Sequence, residues 1–215
     1  MTTTTIDSMV QRKLIEILRG VVNDTFSISP YIKIIEEGTV TSDFKILSGK
    51  IGIATMCSIT IDGILMKNGI PVNTRYGGIL EVEKKKPVRF EDIIFYTGTT
   101  IDPMRIFISR NMTRVLDAVN TGNGVLLANL REIPASALSE AEKVLDTIMD
   151  LRIGGIAEIG KPGKAVLNAP VEAGRVGVAA YAGVNGMAAV EEMGIMVDTH
   201  PISTIVDFRD LKKLE

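Results

Sequence analysis

The chain has 215 residues, with 24 Lys plus Arg against 26 Asp plus Glu and a formal charge of −2, a balance that excludes a surface built to coat a phosphate backbone. One cysteine, Cys57, and one histidine, His200, rule out an intramolecular disulfide and any Cys₄, Cys₂His₂ or His₃ zinc site within one chain. With 46% hydrophobic and 23% charged residues the composition is that of a globular protein, one generous domain or two small ones. The longest uncharged stretch, 176–190, is shorter than the ~18–20 apolar residues of a membrane span. No secretory pattern follows Met1, so a reducing, cytoplasmic setting is expected.

Residues 1–5, Met followed by four threonines, read as a frayed end. From Asp7 or Ser8, Val10, Leu14, Ile17, Leu18, Val21 and Val22 fall on one helical face, with Arg12, Lys13, Glu16 and Arg19 opposite. A strand is expected over 31–35, and a buried strand over the glycine-bounded run 49–56. Ser58 or Thr60 can cap a helix over 61–68 that Gly69 ends. Residues 70–74 and 79–83 read as two strands about a turn at Tyr76-Gly77-Gly78, with another strand over 93–96. Asp102-Pro103 starts a short helix, and 112–119 forms a second that Gly122 stops. A strand over 125–130 follows, then a helix with a stripe from Ala137 to Met149, a strand over 156–159, and a turn at Lys161-Pro162-Gly163.

The rest of the chain repeats an earlier part. Gly49-Lys50-Ile51-Gly52-Ile53-Ala54 aligns with Gly174-Arg175-Val176-Gly177-Val178-Ala179, and Gly69-Ile70-Pro71-Val72-Asn73-Thr74 with Gly194-Ile195-Met196-Val197-Asp198-Thr199, both at an offset of 125. Seven positions are identical across the two segments, where composition alone gives roughly one or two. With a one-residue slip Ile79-Leu80-Glu81-Val82 also matches Ile205-Val206-Asp207-Phe208. The expected fold is therefore α/β with mixed sheets, a β-α-β-β unit present at 45–85 and again at 170–212, forming two pseudo-symmetric halves around a cleft. The two helix starts, Cys57-Ser58-Ile59-Thr60 and Gly183-Val184-Asn185-Gly186, then occupy corresponding places, and each offers free N–H groups to an anion.

Short motifs carry less. Gly155 to Lys161 fits the start of a P-loop, but Pro162 stands where the Mg²⁺-binding hydroxyl belongs, which leaves a turn after a strand. Gly122-Asn123-Gly124 lies between helix and strand, the reverse of a dinucleotide fingerprint. His200 has no nucleophile-elbow motif to serve, and Lys84-Lys85-Lys86 reads as a solvated turn. Cys57 sits between a strand and a helix start, and Arg75 and Arg131 end strands, where an arginine can meet a carboxylate bidentately.

Several of these segments, in order and spacing, resemble one family: Cys57 to Leu65 running into Gly69-Ile70-Pro71-Val72, Arg75-Tyr76-Gly77-Gly78-Ile79-Leu80-Glu81, Leu127 to Ala135, Ile159-Gly160-Lys161-Pro162-Gly163, and Gly174-Arg175-Val176-Gly177-Val178 with Gly183-Val184-Asn185 and Glu191-Glu192-Met193-Gly194-Ile195. They look like the regulatory domain of the archaeal nitrogen repressor NrpR. The resemblance implies a methanogen transcriptional regulator that binds 2-oxoglutarate, works as a dimer and is not an enzyme. The family's winged helix has no counterpart before Val10, so the chain is expected to be an excised regulatory domain or a stand-alone partner of a DNA-binding paralogue, contacting neither DNA nor membrane itself. No resident cofactor is expected. A dicarboxylate effector in the cleft needs donors at both ends, and the candidates are Cys57, Ser58 and Thr60 from one copy, Asn185 from the other, and Arg75 or Arg131 for a carboxylate. An oxo-acid enzyme, or a pure dimerisation or adaptor module, is the alternative.

Overall fold

The structure is a computed structural model that describes residues 1–23, 26–41, 45–200, 203 and 205–214. Among these residues the strands are β1 (Thr2–Asp7), β2 (Tyr31–Ile35), β3 (Lys50–Thr55), β4 (Asn73–Glu83), β5 (Lys86–Phe95), β6 (Gly124–Pro134), β7 (Ile156–Ile159), β8 (Arg175–Tyr181), β9 (Asp198–His200) and β10 (Lys212–Lys213). The α-helices are α1 (Gln11–Asn23), α2 (Ile59–Lys67), α3 (Pro103–Ser109), α4 (Val115–Thr121), α5 (Leu138–Asp150) and α6 (Asn185–Glu192). No helix among them is long and apolar enough to cross a membrane.

The strands form two sheets of five, in the orders β10-β2-β3-β1-β9 and β5-β4-β6-β8-β7. Every strand pairing is antiparallel, so the expectation of mixed sheets is corrected. The orders β2-β3-β1-β9 and β7-β8-β6-β4 correspond strand for strand. The registers correspond too: Thr2 faces Thr55 on β3 as Asn129 faces Ala180 on β8, and Thr4 faces Thr199 as Arg131 faces Thr74. The repeated unit is thus β-α-β-β-α-β, running β1-α1-β2-β3-α2-β4 and then β6-α5-β7-β8-α6-β9, larger than the β-α-β-β unit read from the sequence. In each copy the last strand crosses into the other copy's sheet, which interlocks the halves.

Three local expectations change. Residues 1–5 are not a frayed end: Thr2, Thr3 and Thr4 are buried in β1, between β3 and β9. β-branched threonines suit a strand; the Thr4 hydroxyl pairs with that of Thr199, and the Thr3 N–H donates to Ser203 Oγ. The expected strand pair 70–74 and 79–83 is one strand, β4, whose register slips by one residue at Arg75. Gly77 serves close packing there instead of a turn, since a Cβ on it would stand 2.8 Å from Pro103 Cβ. The turn lies at Lys84 and Lys85, both at positive φ, and β5 runs back from it over the full hairpin. The expected counterpart of residues 79–82 is irregular at 205–207 and a 3-10 turn at Phe208–Asp210; among the described residues β9 is an edge strand with no outer neighbour to extend against. Residues 201, 202 and 204, within the second repeat as read from the sequence, lie outside the described residues.

Burial explains the layers. Leu14, Leu18 and Val21 of α1 are buried, and Leu14 and Leu18 pack with Met187 and Val190 of α6. Ala141, Leu145 and Ile148 of α5 meet Ile61 and Leu65 of α2 over one face of the second sheet. On its other face Val115 and Ala118 of α4 and Phe107 of α3 pack against Leu80, Leu126 and Ala128. Glu192, at the end of α6, accepts from Thr113 Oγ1 and from the Val115 and Leu116 N–H groups, tying α6 to the start of α4.

Candidate ligand cavity

A cavity of about 410 Å³ opens where the two copies meet. Ten of its lining residues are five equivalent pairs: Cys57 with Ala182, Ser58 with Gly183, Ile59 with Val184, Thr74 with Thr199, and Thr2 with Asn129. The cavity therefore lies on the pseudo-two-fold, between the first turns of α2 and α6, where the Thr60, Ile61, Asn185 and Met187 N–H groups already bond the carbonyls of Cys57, Ser58, Ala182 and Val184, and the positive ends of both helices face the cavity. The two helix starts cross closely. Gly183 is required there, because a Cβ on it would collide with the Met56 carbonyl oxygen.

One wall belongs to the first copy alone. The segment after β5 contributes Tyr96, Thr99, Thr100, Ile101, Asp102 and Met104. Ser58 Oγ donates to Asn129 Oδ1 (2.8 Å), and Asn129 Nδ2 donates to Tyr96 Oη (2.7 Å). Burial, aided by the Asp102 charge, raises the Tyr96 pKa far enough to keep the phenol protonated. Asp102 accepts from the Met104 N–H at the start of α3 (3.0 Å), yet its partial burial holds its pKa above the ordinary aspartate value.

Arg131 lies outside the lining, behind Asp62. It is on the same face of β6 as Asn129, and none of its side chain is exposed. Its Nε forms an ion pair with Oδ1 of Asp62, without hydrogen-bond geometry. Asp62 Oδ2 accepts from Thr74 Oγ1 (2.8 Å), and both of these residues line the cavity. Arg131 Nη1 and Nη2 have no hydrogen-bond partner among the described residues.

Of the residues singled out from sequence, Cys57 and Ser58 line the cavity and Arg131 lies behind Asp62. Thr60 is in the first turn of α2 but does not line it. Asn185 does not line the cavity: it is fully buried, its Oδ1 accepts from the Leu127 N–H, and its Nδ2 donates to the carbonyls of Phe26 and Leu127. With its amide so engaged it ties α6 to β6, and the second copy reaches the cavity through Ala182, Gly183 and Val184 instead. Arg75 does not line the cavity either. Its Nη1 pairs with Glu172 (2.6 Å), its Nε lies 3.6 Å from Glu132, and its guanidinium rests over Tyr76 and Phe95. Among the residues sequence reasoning missed, Thr74 and Thr199 carried a signal as an identical pair of the repeat. Tyr96 and Asp102 carried none, because the third wall is not duplicated.

A family described as NrpR regulatory domains NRD1 and 2 matches residues 1–213. The global nitrogen regulator NrpRI of Methanosarcina mazei is 43% identical over 201 residues, which make up 94% of this chain and 62% of that protein. The global nitrogen regulator NrpR of Methanococcus maripaludis is 30% identical over 190 residues, 88% of this chain and 32% of that protein. That of Methanocaldococcus jannaschii is 36% identical over 163 residues, 76% of this chain and 29% of that protein. The chain thus spans less than two thirds of the length of each of these relatives. A crystal structure of a nitrogen repressor-like protein from Methanococcus jannaschii matches with a TM-score of 0.82 at 29% identity, covering 100% of this chain and 87% of that one.

Proposed function

The chain belongs to the family of NrpR regulatory domains, and from that premise we propose that it is the effector-sensing part of a nitrogen-responsive transcriptional repressor, with the cavity between the two copies as the seat of 2-oxoglutarate. The supporting observation is the composition of that cavity. N-terminal turns from both copies converge on it, and behind the lining residue Asp62 lies a fully buried arginine, Arg131, with two unpartnered nitrogens. Helix N-termini and a planar guanidinium are the donors that two carboxylates need, and the volume is in the range of small-molecule sites.

A ligand that touches both copies favours the arrangement in which both touch it, and only such differential affinity can move an equilibrium. In our reading the unit acts as a homodimer and passes the closure to DNA-reading parts elsewhere in a longer chain or in a paralogue, consistent with the chain's net charge of −2. Titration calorimetry tests the ligand: a saturable heat with 2-oxoglutarate, lost in Arg131→Gln, is expected. Absence of heat and of any thermal shift at millimolar ligand would sink the reading. The ligand should be recovered unchanged after incubation, since a regulator does not consume its effector. Light scattering on a sizing column should give twice the chain mass.

A further inference from the structure

The ion pair between Arg131 and the cavity-lining Asp62 exists in one copy only. The places of Arg131, Asp62 and Thr74 are taken in the other copy by Thr4, Met187 and Thr199, where Thr4 Oγ1 and Thr199 Oγ1 lie 3.2 Å apart and Met187 is fully buried. The fold therefore closes the same junction with neutral groups and does not need a charge there. As a structural pair, moreover, the charged version is poor. A buried guanidinium offers five N–H donors, but here one carboxylate oxygen faces Nε while Nη1 and Nη2 are unpartnered, and unpaired buried donors are costly. Asp62 itself lines the cavity, so it sets a negative charge beside the place where an anion would reach Arg131.

Resting on the 2-oxoglutarate reading, we propose that Asp62 is an internal competitor for Arg131. Its carboxylate holds the guanidinium at Nε until one carboxylate of the effector takes Nε together with a terminal nitrogen, side-on, and displaces it. Because the second copy offers Thr4 and Met187 at the equivalent positions, the dicarboxylate enters in a single orientation, with that carboxylate toward Arg131 and the remainder toward the helix starts. Asp62 is near the start of α2, so its displacement frees the N-terminal end of the helix, where Ile59 and the preceding Cys57 and Ser58 line the cavity. Effector binding is thereby joined to movement of α2, and affinity is held below what the same donors would give without the competitor.

The test compares 2-oxoglutarate affinity in the unaltered chain, in Asp62→Asn, and in the double variant Asp62→Met with Arg131→Thr, which copies the other half. Asp62→Asn keeps the shape and an acceptor for Thr74 and should tighten binding at least about tenfold, the size expected from removing one like charge a few ångströms from a dianion. The double variant should fold and bind at least about a hundredfold more weakly, having lost the charge-assisted contact. Binding by Asp62→Asn that is equal to or weaker than that of the unaltered chain overturns the competitor role while leaving the effector reading intact. No binding by any of the three chains overturns both. Should Asp62→Asn fail to fold, carbon and nitrogen NMR of the unaltered chain decides: the Asp62 carboxyl and Arg131 Nε signals should move on saturation with 2-oxoglutarate, and unchanged signals refute the displacement.

Discussion

The crossing of the two helix starts can be probed with one kind of substitution made at two glycines. Gly183 is buried, and an added Cβ would collide with the Met56 carbonyl oxygen and stand 3.0 Å from the Met56 carbonyl carbon, both rigid backbone atoms. Gly183→Ala must push the α2 and α6 starts apart, and overpacking of this kind costs about 1–3 kcal/mol. Gly63, in the middle of α2, is exposed and would place its Cβ with nothing within 4 Å. Gly63→Ala should therefore gain up to about 1 kcal/mol of helix propensity. For a domain of this size the first change corresponds to a fall in Tm of about 2–12 °C, and the second to a rise of up to about 4 °C. Guanidinium and thermal unfolding of the three chains, followed by 2-oxoglutarate titration, provide the comparison, and only Gly183→Ala should also lose binding. If Gly183→Ala unfolds at the same midpoint as the unaltered chain and binds normally, the close crossing on which the cavity depends is refuted.

Asn185→Ala takes the Asn185 partner from the Leu127 N–H and the Phe26 carbonyl in the core, while the Leu127 carbonyl keeps the Ala182 N–H; a loss of about 2–4 kcal/mol is expected in denaturant unfolding, and an unchanged midpoint would speak for a ligand contact instead. Glu192→Gln weakens the capping of α4 by a carboxylate that takes two N–H groups and a hydroxyl, for which about 1–2 kcal/mol is expected; an unaltered chain stability would count against the tie between α6 and α4. Asp102 is raised above the ordinary aspartate value of 3.8, first by burial. Its protonated form is thus favoured in the folded state, and its contribution to stability is full below that ordinary value and fades as pH rises through the raised one. Asp102→Asn, which can still cap α3, should be more stable than the unaltered chain at neutral pH and should flatten the pH profile just above 3.8; an unchanged profile in urea melts across that range counts against the reading.

The internal repeat was readable because its signal lies in positions where backbone geometry restricts the residue. Gly49, Gly69, Gly174 and Gly194 all adopt positive φ, where few residues compete with glycine. The same periodicity located the helix starts and so the neighbourhood of the cavity. The unit's first half escaped notice because β1 and α1 stand at an offset of 127, against 125 for the later elements, and because a run of threonines has no apolar alternation to mark a buried strand. Arg75 and Arg131 look alike in sequence, each following a run that reads as a strand. One is bound to Glu172 and Glu132 over two aromatic rings, the other to Asp62 in the core.

What the sequence by itself determined is local and periodic: the amphipathic faces of α1 and α5, the glycine turns, the duplicated strand-helix-strand pattern, and the lack of soft metal ligands. These follow from spacing and residue type alone. Only the tertiary structure decided that the last strand of each copy crosses into the other's sheet, that Asn185 is a buried tie, and that Tyr96, Asp102 and Asp62 share one cavity with Ser58 and Asn129. Residues far apart in the chain become neighbours through strand register and helix packing, and no local pattern encodes which buried polar group meets which partner.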